Sequence, residues 1–219
     1  MSNEYLKRTP TSTGNRKIFT YAGWFKKNYG NGSTRFDIFN AHASGSQQEE
    51  IGFRQDALRY LSAGSSLYGF DTTNKYRDTG SWFHVVFALN TTLESERKRS
   101  VVYINGVEVD TTTSSGIGAY VAKNFNSIAF NVVGKEHNVL ARKYSSSSRD
   151  YPEGGGFDIF FVDGQALTPD VFGFFKDGKG YQSSGTTKVT DFRPGQWSPH
   201  SPRKIKTEIE RKGGFGVNG

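Results

Sequence analysis

Cysteine is absent from this chain, which excludes disulfide staples, thiolate metal sites and thiol nucleophiles. No apolar run approaches the roughly 20 residues of a membrane-spanning helix, so membrane insertion is not expected. The opening MSNEYLKRTP has no apolar h-region, and no classical secretory signal is expected either. The usual catalytic patterns are missing as well. There is no Gly-x-Ser-x-Gly elbow. Gly134-Lys135 is followed by Glu136 and lacks the upstream glycine of a phosphate loop. His42, His84, His137 and His200 are scattered, without metal-ligand spacing. A glucanase needs two carboxylates flanking one bond. Here Glu49-Glu50 is the adjacent acidic pair on an expected strand, and strand neighbours point to opposite faces. The expectation is a non-enzyme without a cofactor.

What is present is glycine, aromatic residues and positive charge. The 26 glycines, with 15% aromatics and 34% hydrophobic residues, suit many strands joined by turns around a core of Phe and Tyr. The formal net charge is +7, which favours acidic partners. The charge is clustered at Arg97-Lys98-Arg99 and from Arg203-Lys204 to Arg211-Lys212, without the interleaved aromatics of a single-strand groove. These clusters read as solvated loop and tail charge, or as contacts to an acidic protein neighbour, and no nucleic-acid partner is expected.

The strongest local signal is Ser81 to Asp110. Asn105-Gly106 sits at the centre of a two-residue turn, where both residues tolerate φ > 0. That places Ile104 opposite Val107 and Tyr103 opposite Glu108. The preceding segment, Trp82 to Leu89, is apolar on both faces and reads as a central strand. A second two-faced strand is expected over 17–26. Further strands are expected over Glu4–Lys7, Arg35–Ala41, Glu50–Arg54, Ala57–Leu61, Ser66–Phe70, Phe125–Val133 and Gly156–Val162. Asp71 to Gly80 and Lys143 to Gly156 read as long polar loops. Thr168-Pro169-Asp170 has the chemistry of a short helix start, with Thr as N-cap. From Lys176 onward Gly, Ser, Lys and Pro dominate, with Trp197 as the one large anchor.

Trp82-Phe83-His84-Val85-Val86 followed by Val102-Tyr103-Ile104-Asn105-Gly106-Val107 resembles the core of laminin-G/concanavalin-A-like jelly rolls. Tyr5 to Pro10, Gly14 to Lys17 and Gly23-Trp24 resemble the opening of lectin-like domains in structural proteins of marine bacteriophages. Phe161-Val162-Asp163-Gly164-Gln165-Ala166-Leu167-Thr168-Pro169, Gln196 to Pro199 and Gly214 to Gly219 resemble the closing segments of the same group. The resemblance implies an all-β, two-sheet antiparallel jelly-roll sandwich over 1–175, with one short helix. An irregular basic arm over 176–219 follows, and the natural chain could continue past Gly219. It further implies a virion component on the particle exterior (capsid decoration, fibre or tail appendage), made in the host cytoplasm. The partners implied are other virion proteins and further copies of the chain, with Trp197, Arg203, Lys204, Arg211 and Lys212 as assembly-arm residues.

The alternative role is an adhesin that binds host surface polysaccharide. Sugar sites pair an exposed aromatic with polar groups for the hydroxyls, and Tyr76 with Asp78 and Tyr144 with Tyr151 lie on polar loops. Each tyrosine can equally cover a sandwich edge or a subunit contact. Asn31-Gly32-Ser33 and Asn90-Thr91-Thr92 match the glycosylation pattern but read as turn chemistry. His84 and Asp158 interrupt apolar strands and need partners if buried. Calcium, with Asp158 as a ligand, is the one cofactor the resemblance leaves open, though no acidic cluster surrounds that residue.

Overall fold

Side chains that alternate along Ile18–Lys27 and Phe83–Asn90 build the middle of the molecule. The computed structural model describes residues 5–28, 35–113, 116–145, 149–176, 180–183 and 198–199. In chain order the first strands are Leu6–Arg8 (β1), Ile18–Lys27 (β2), Arg35–Ser44 (β3), Gln47–Arg54 (β4), Ala57–Ala63 (β5) and Leu67–Thr72 (β6). Phe83–Asn90 (β7), Ser100–Ile104 (β8), Val107–Glu108 (β9), Thr111–Thr112 (β10) and His137–Val139 (β11) follow. The last are Arg142–Lys143 (β12), Arg149–Asp150 (β13), Gly154–Asp163 (β14), Gly173–Lys176 (β15), Gly180–Ser183 (β16) and Ser198–Pro199 (β17).

Two antiparallel sheets carry the fold, as expected for a jelly-roll sandwich. The larger runs β10-β6-β5-β4-β3-β11-β1-β17 and the smaller β14-β2-β7-β8-β9, with β7 in its centre. The pleat sends Phe19, Tyr21 and Phe25 of β2, with Phe83, Val85 and Phe87 of β7, inward. They meet Phe39, Ile51 and Tyr60 of the larger sheet. Tyr21 stacks on Phe39 with ring centroids 4.3 Å apart, and Tyr60 lies 4.6 Å from Phe87. Aromatic rings span the interval between the sheets, so a chain of modest aliphatic content still fills its core.

The Asn105-Gly106 turn forms as expected, at φ 50° and 83°, pairing Ile104 with Val107 and Tyr103 with Glu108. Asn105 also accepts from the His84 N–H through Oδ1 and donates its own N–H to the His84 carbonyl, both at 2.8 Å. A second tight turn, Gln55-Asp56, has φ 46° and 64°. There Asp56 takes Lys27 Nζ at 2.7 Å, tying β2 of one sheet to the β4–β5 turn of the other.

Three expectations are corrected. Phe125–Val133 is not a strand. Buried Glu49 collects its polar groups instead: the Ser127 hydroxyl, the Ala129 N–H at 2.9 Å and the Phe130 N–H at 2.7 Å. Asn124 just before the segment and Asn131 within it have φ 59° and 60°, outside the extended region of a regular strand. The helix is a single 3-10 turn, Pro169–Val171, and the Thr168 hydroxyl bonds the Asp170 carboxylate rather than capping the backbone. The 143–156 loop contains a small ribbon, β12 paired with β13. At the C-terminal side, the hairpin β15–β16 crosses the expected 175/176 boundary, and Ser198–Pro199 adds to the β1 edge.

Candidate functional site

The outward face of the larger sheet carries charge where its inward face carries rings. Arg35, Asp37 and Asn40 of β3 alternate with Phe36, Phe39 and Ala41. Gln48, Glu50 and Arg54 of β4 alternate with Ile51 and Phe53, and Arg59 and Asp71 face outward from β5 and β6. Glu49 and Glu50 therefore part company: one enters the core and the other joins this face. Gly52 lies between Asp37 and Arg59 in the register, and a Cβ there would run into the Phe36 carbonyl oxygen.

Glu50 is the hub. Arg35 donates to one of its oxygens and Arg54 Nη2 to the other at 2.9 Å, while Arg142 Nε stands 3.4 Å away. Arg35 also holds Asp37 at 3.3 Å, and Arg59 grips Asp71 with two bonds of 2.7 and 2.8 Å. Burial, reinforced by the charge on Asp37, pushes the Glu50 carboxyl up to about 7, against the pull of Arg35 and Arg142. Burial likewise raises Asp37, with Arg35 opposing.

The ribbon β12–β13 lies over this face. Its anchor is the Lys143 N–H, which donates to Asn40 Oδ1 at 2.8 Å. Arg142 then points back to Glu50, reaches Asp150 at 3.5 Å and stands 4.8 Å from the centroid of the Tyr144 ring. Among the described residues, Gln48 Oε1, Asn138 Oδ1 and the Nε atoms of Arg54 and Arg142 on this face are buried without a hydrogen-bond partner.

The residues proposed from sequence fall in separate places. Tyr144 is exposed beside the Glu50 cluster. Tyr151 is also exposed but sits against Tyr5 of the sheet edge, ring centroids 5.6 Å apart. Tyr76 is half-buried and closes one end of the core, edge-on to Phe53 and Phe83. Asp78 folds its own loop, accepting from the Ser81 hydroxyl and from the Gly80 N–H at 2.6 Å; these bonds hold its carboxyl below the usual range. Trp197, Arg203, Lys204, Arg211 and Lys212 lie outside the described residues. Sequence reasoning missed Arg35, Asp37, Glu50, Arg54, Arg59 and Arg142. For Arg35, Asp37, Glu50 and Arg54 the signal was charge at alternate positions of RFDIFN and QQEEIGFR; Arg59 and Arg142 lie outside those stretches.

Other features noted from sequence have local partners. Lys98 pairs with Glu108 at 2.6 Å, Arg97 lies over Tyr120, and Arg99 donates to the carbonyls of Leu93, Glu94 and Val121. His84 is buried between Trp24 and Phe172, and burial drops its pKa to about 3. Asp158 sits in the bulge of β14 at φ 47°. Among the described residues no three carboxylate or imidazole groups converge as a metal site. A cavity of about 340 Å³ opens on the other sheet, walled by Leu93, Val101, Tyr103 and Leu167, with Lys98 and Glu108 at its lining.

Comparison with known proteins agrees with this architecture. The model of the laminin-G-type domain of the concanavalin A-like lectin/glucanases superfamily matches residues 2–137. Among curated proteins no sequence matches. Similar solved structures include a heptameric SAP-like pentraxin from Limulus polyphemus, 19% identical with a TM-score of 0.52 over 75% of this chain and 71% of that one. The sialidase carbohydrate-binding module of Ruminococcus gnavus bound to α2,3-sialyllactose is 12% identical, TM-score 0.52, covering 77% and 91%. Domains LG4-5 of the mouse laminin α1 chain are 12% identical, TM-score 0.50, covering 77% and 41%. At such identities these likenesses bear on the fold. Sheet order, core and family match converge: this chain belongs to the concanavalin A-like lectin/glucanases superfamily, as a laminin-G-type domain.

Proposed function

We propose that this chain is a non-catalytic recognition module that binds host surface polysaccharide from the exterior of a bacteriophage particle. The observation that carries the binding role is the exposed Tyr144 ring set beside Arg142 and the Glu50 cluster on an outward sheet face. A sugar presents an apolar ring face and a fringe of hydroxyls, which such an aromatic and its polar neighbours complement. The same sandwich in the Ruminococcus module is bound to sialyllactose, which supports the reading by analogy of fold. The separation of Glu49 and Glu50 across the sheet favours binding over hydrolysis. The particle context rests on the sequence resemblance, which also suggests other virion proteins and further copies of the chain as partners.

The test is a binding assay of the isolated protein on arrayed bacterial polysaccharides, run with and without a calcium chelator. The expected result is selective retention of some polysaccharides, unchanged by chelation and weakened about tenfold by Tyr144→Ala, the usual scale for losing a stacked aromatic. Binding that survives Tyr144→Ala at full strength removes this face from the mechanism.

A second reading is mechanical, with arm 176–219 securing the sandwich to its neighbours in the particle. Ser198–Pro199 adds to the β1 edge of its own chain, and the same strand addition made on a neighbour's edge would lock copies together. Both roles fit one molecule. Quantitative mass spectrometry of purified particles separates them: capsid-like copy number favours the mechanical role, and a few copies per particle favour an adhesive appendage.

A further inference from the structure

The charges around Glu50 are layered. The carboxylates lie deep, with Glu50, Asp37 and Asp71 side chains 1, 4 and 12% exposed, while those of Arg59, Arg35 and Arg54 are 18, 21 and 27% exposed. Arg142, at 14%, closes the cluster from the ribbon. Asp150, 51% exposed, lies at its margin. What faces outward is guanidinium. A guanidinium has five N–H donors. Among the described residues, Arg54 donates a single hydrogen bond, to Glu50 at 2.9 Å, and Arg142 meets Glu50 and Asp150 only as ion pairs at 3.4 and 3.5 Å. The Nε of each is buried without a hydrogen-bond partner among the described residues, that of Arg142 meeting Glu50 only as the ion pair. Arg54 and Arg142 thus keep guanidinium donors unused at the rim of the cluster, which suits them to hold one more anion.

We propose that this face takes an anionic polysaccharide, a carboxylate or sulfate group seating against Arg54 and Arg142 while the adjoining sugar ring lies on Tyr144. The proposal rests on the glycan-binding reading above and narrows it to acidic chains. Arginine suits this role because its planar fork matches both oxyanions. Glu50 competes with the ligand for the same donors.

The experiment is isothermal titration of the whole chain with polygalacturonate, its carboxyl-reduced form, dextran sulfate and dextran. The variants are Arg54→Gln, Arg142→Gln, Glu50→Gln and a distant control, Lys17→Gln with Lys123→Gln. Polygalacturonate or dextran sulfate should bind, and which of them binds assigns the carboxylate or the sulfate. Carboxyl reduction should abolish polygalacturonate binding. Each arginine change should weaken binding roughly tenfold, the scale of a charge-assisted hydrogen bond, and the control should change it little. Glu50→Gln, which keeps the side chain's shape, should tighten binding; an arginine cluster with a purely structural role would not respond in that sense. Equal binding of neutral and acidic chains overturns the acidic assignment and leaves the glycan reading standing. Equal losses in the control and the arginine variants also overturn it, as diffuse attraction to a +7 protein. Binding to none of the four overturns it too; the bacterial polysaccharide array then tells whether the glycan reading falls as well.

Discussion

Glu49 and Glu50 show how one residue step along a strand separates a structural role from a surface role. Glu49 receives the Ala129 and Phe130 N–H groups and the hydroxyls of Ser127 and Tyr60, so one carboxylate organises the 125–133 segment. Glu49→Ala leaves those donors buried and unpaired. The expected cost is about 3 kcal/mol in urea unfolding, since leaving a buried donor unsatisfied costs about 1–3 kcal/mol, and Glu49→Gln should lose less. The opposite facing of the two residues was legible from strand alternation. The partners of Glu49 in the 125–133 segment were not, because they lie 78 to 81 positions away and no local pattern marks them. His137 gives a second residue-scale prediction. Its Nε2 accepts the Asn131 N–H at 2.9 Å, so the ring proton is on Nδ1, facing the Lys135 carbonyl at 2.8 Å. Burial lowers its pKa to about 4. A folded-state value below the unfolded one means the contribution is complete above about pH 6.5 and lost as pH falls toward 4. The full effect is on the order of 3 kcal/mol. Denaturation midpoints measured across that window should fall with acid, and His137→Gln should flatten the part of the decline due to this residue.

At the scale of elements, the turns decide what could be read. Asn105-Gly106 announces itself because these two residue types tolerate the left-handed region, and the strand pairing followed from it. Gln55-Asp56 adopts the same region without that composition, held by Lys27 from another strand, and so was invisible locally. Phe125–Val133 failed the opposite way: its alternation resembled a strand, while Asn124 and Asn131 at positive φ and the Glu49 carboxylate bent it into a loop. The charged outward face escaped notice for a related reason. Its members come from strands that meet only in the folded sheet, and Arg142 arrives on a ribbon positioned by Asn40. The Asn105 turn allows its two contributions to be separated. Asn105→Gly keeps access to positive φ and loses only the 2.8 Å bond to the His84 N–H. Asn105→Ala loses both. Expected losses are about 1 kcal/mol and about 2 kcal/mol respectively, read as the spacing of three thermal unfolding curves; equal losses would mean the side-chain bond carries the whole effect.

At the scale of the whole molecule, the described core and charged face lie ahead of the C-terminal arm in the chain. The buried core cluster of the described residues ends at Phe172, and the charged face draws on residues between Arg35 and Asp150. What a truncation after Ser183 removes from the described structure is the pairing of Ser198–Pro199 with Leu6 and Lys7 at a sheet edge. That pairing is two residues of edge ladder, so the shortened protein should unfold within about 1 kcal/mol of the full chain. Polysaccharide binding should persist, because every side chain assigned to it is retained. Incorporation into particles should fail if the arm is the mechanical attachment, since the truncation removes Trp197 and the basic residues from Arg203 to Lys212. The informative measurement is therefore a paired one on the same truncated protein: polysaccharide affinity in isolation, and copy number in purified particles. Retained affinity with lost incorporation assigns adhesion to the sandwich and attachment to the arm. Lost affinity would instead place the arm against the charged face, making it part of the binding site.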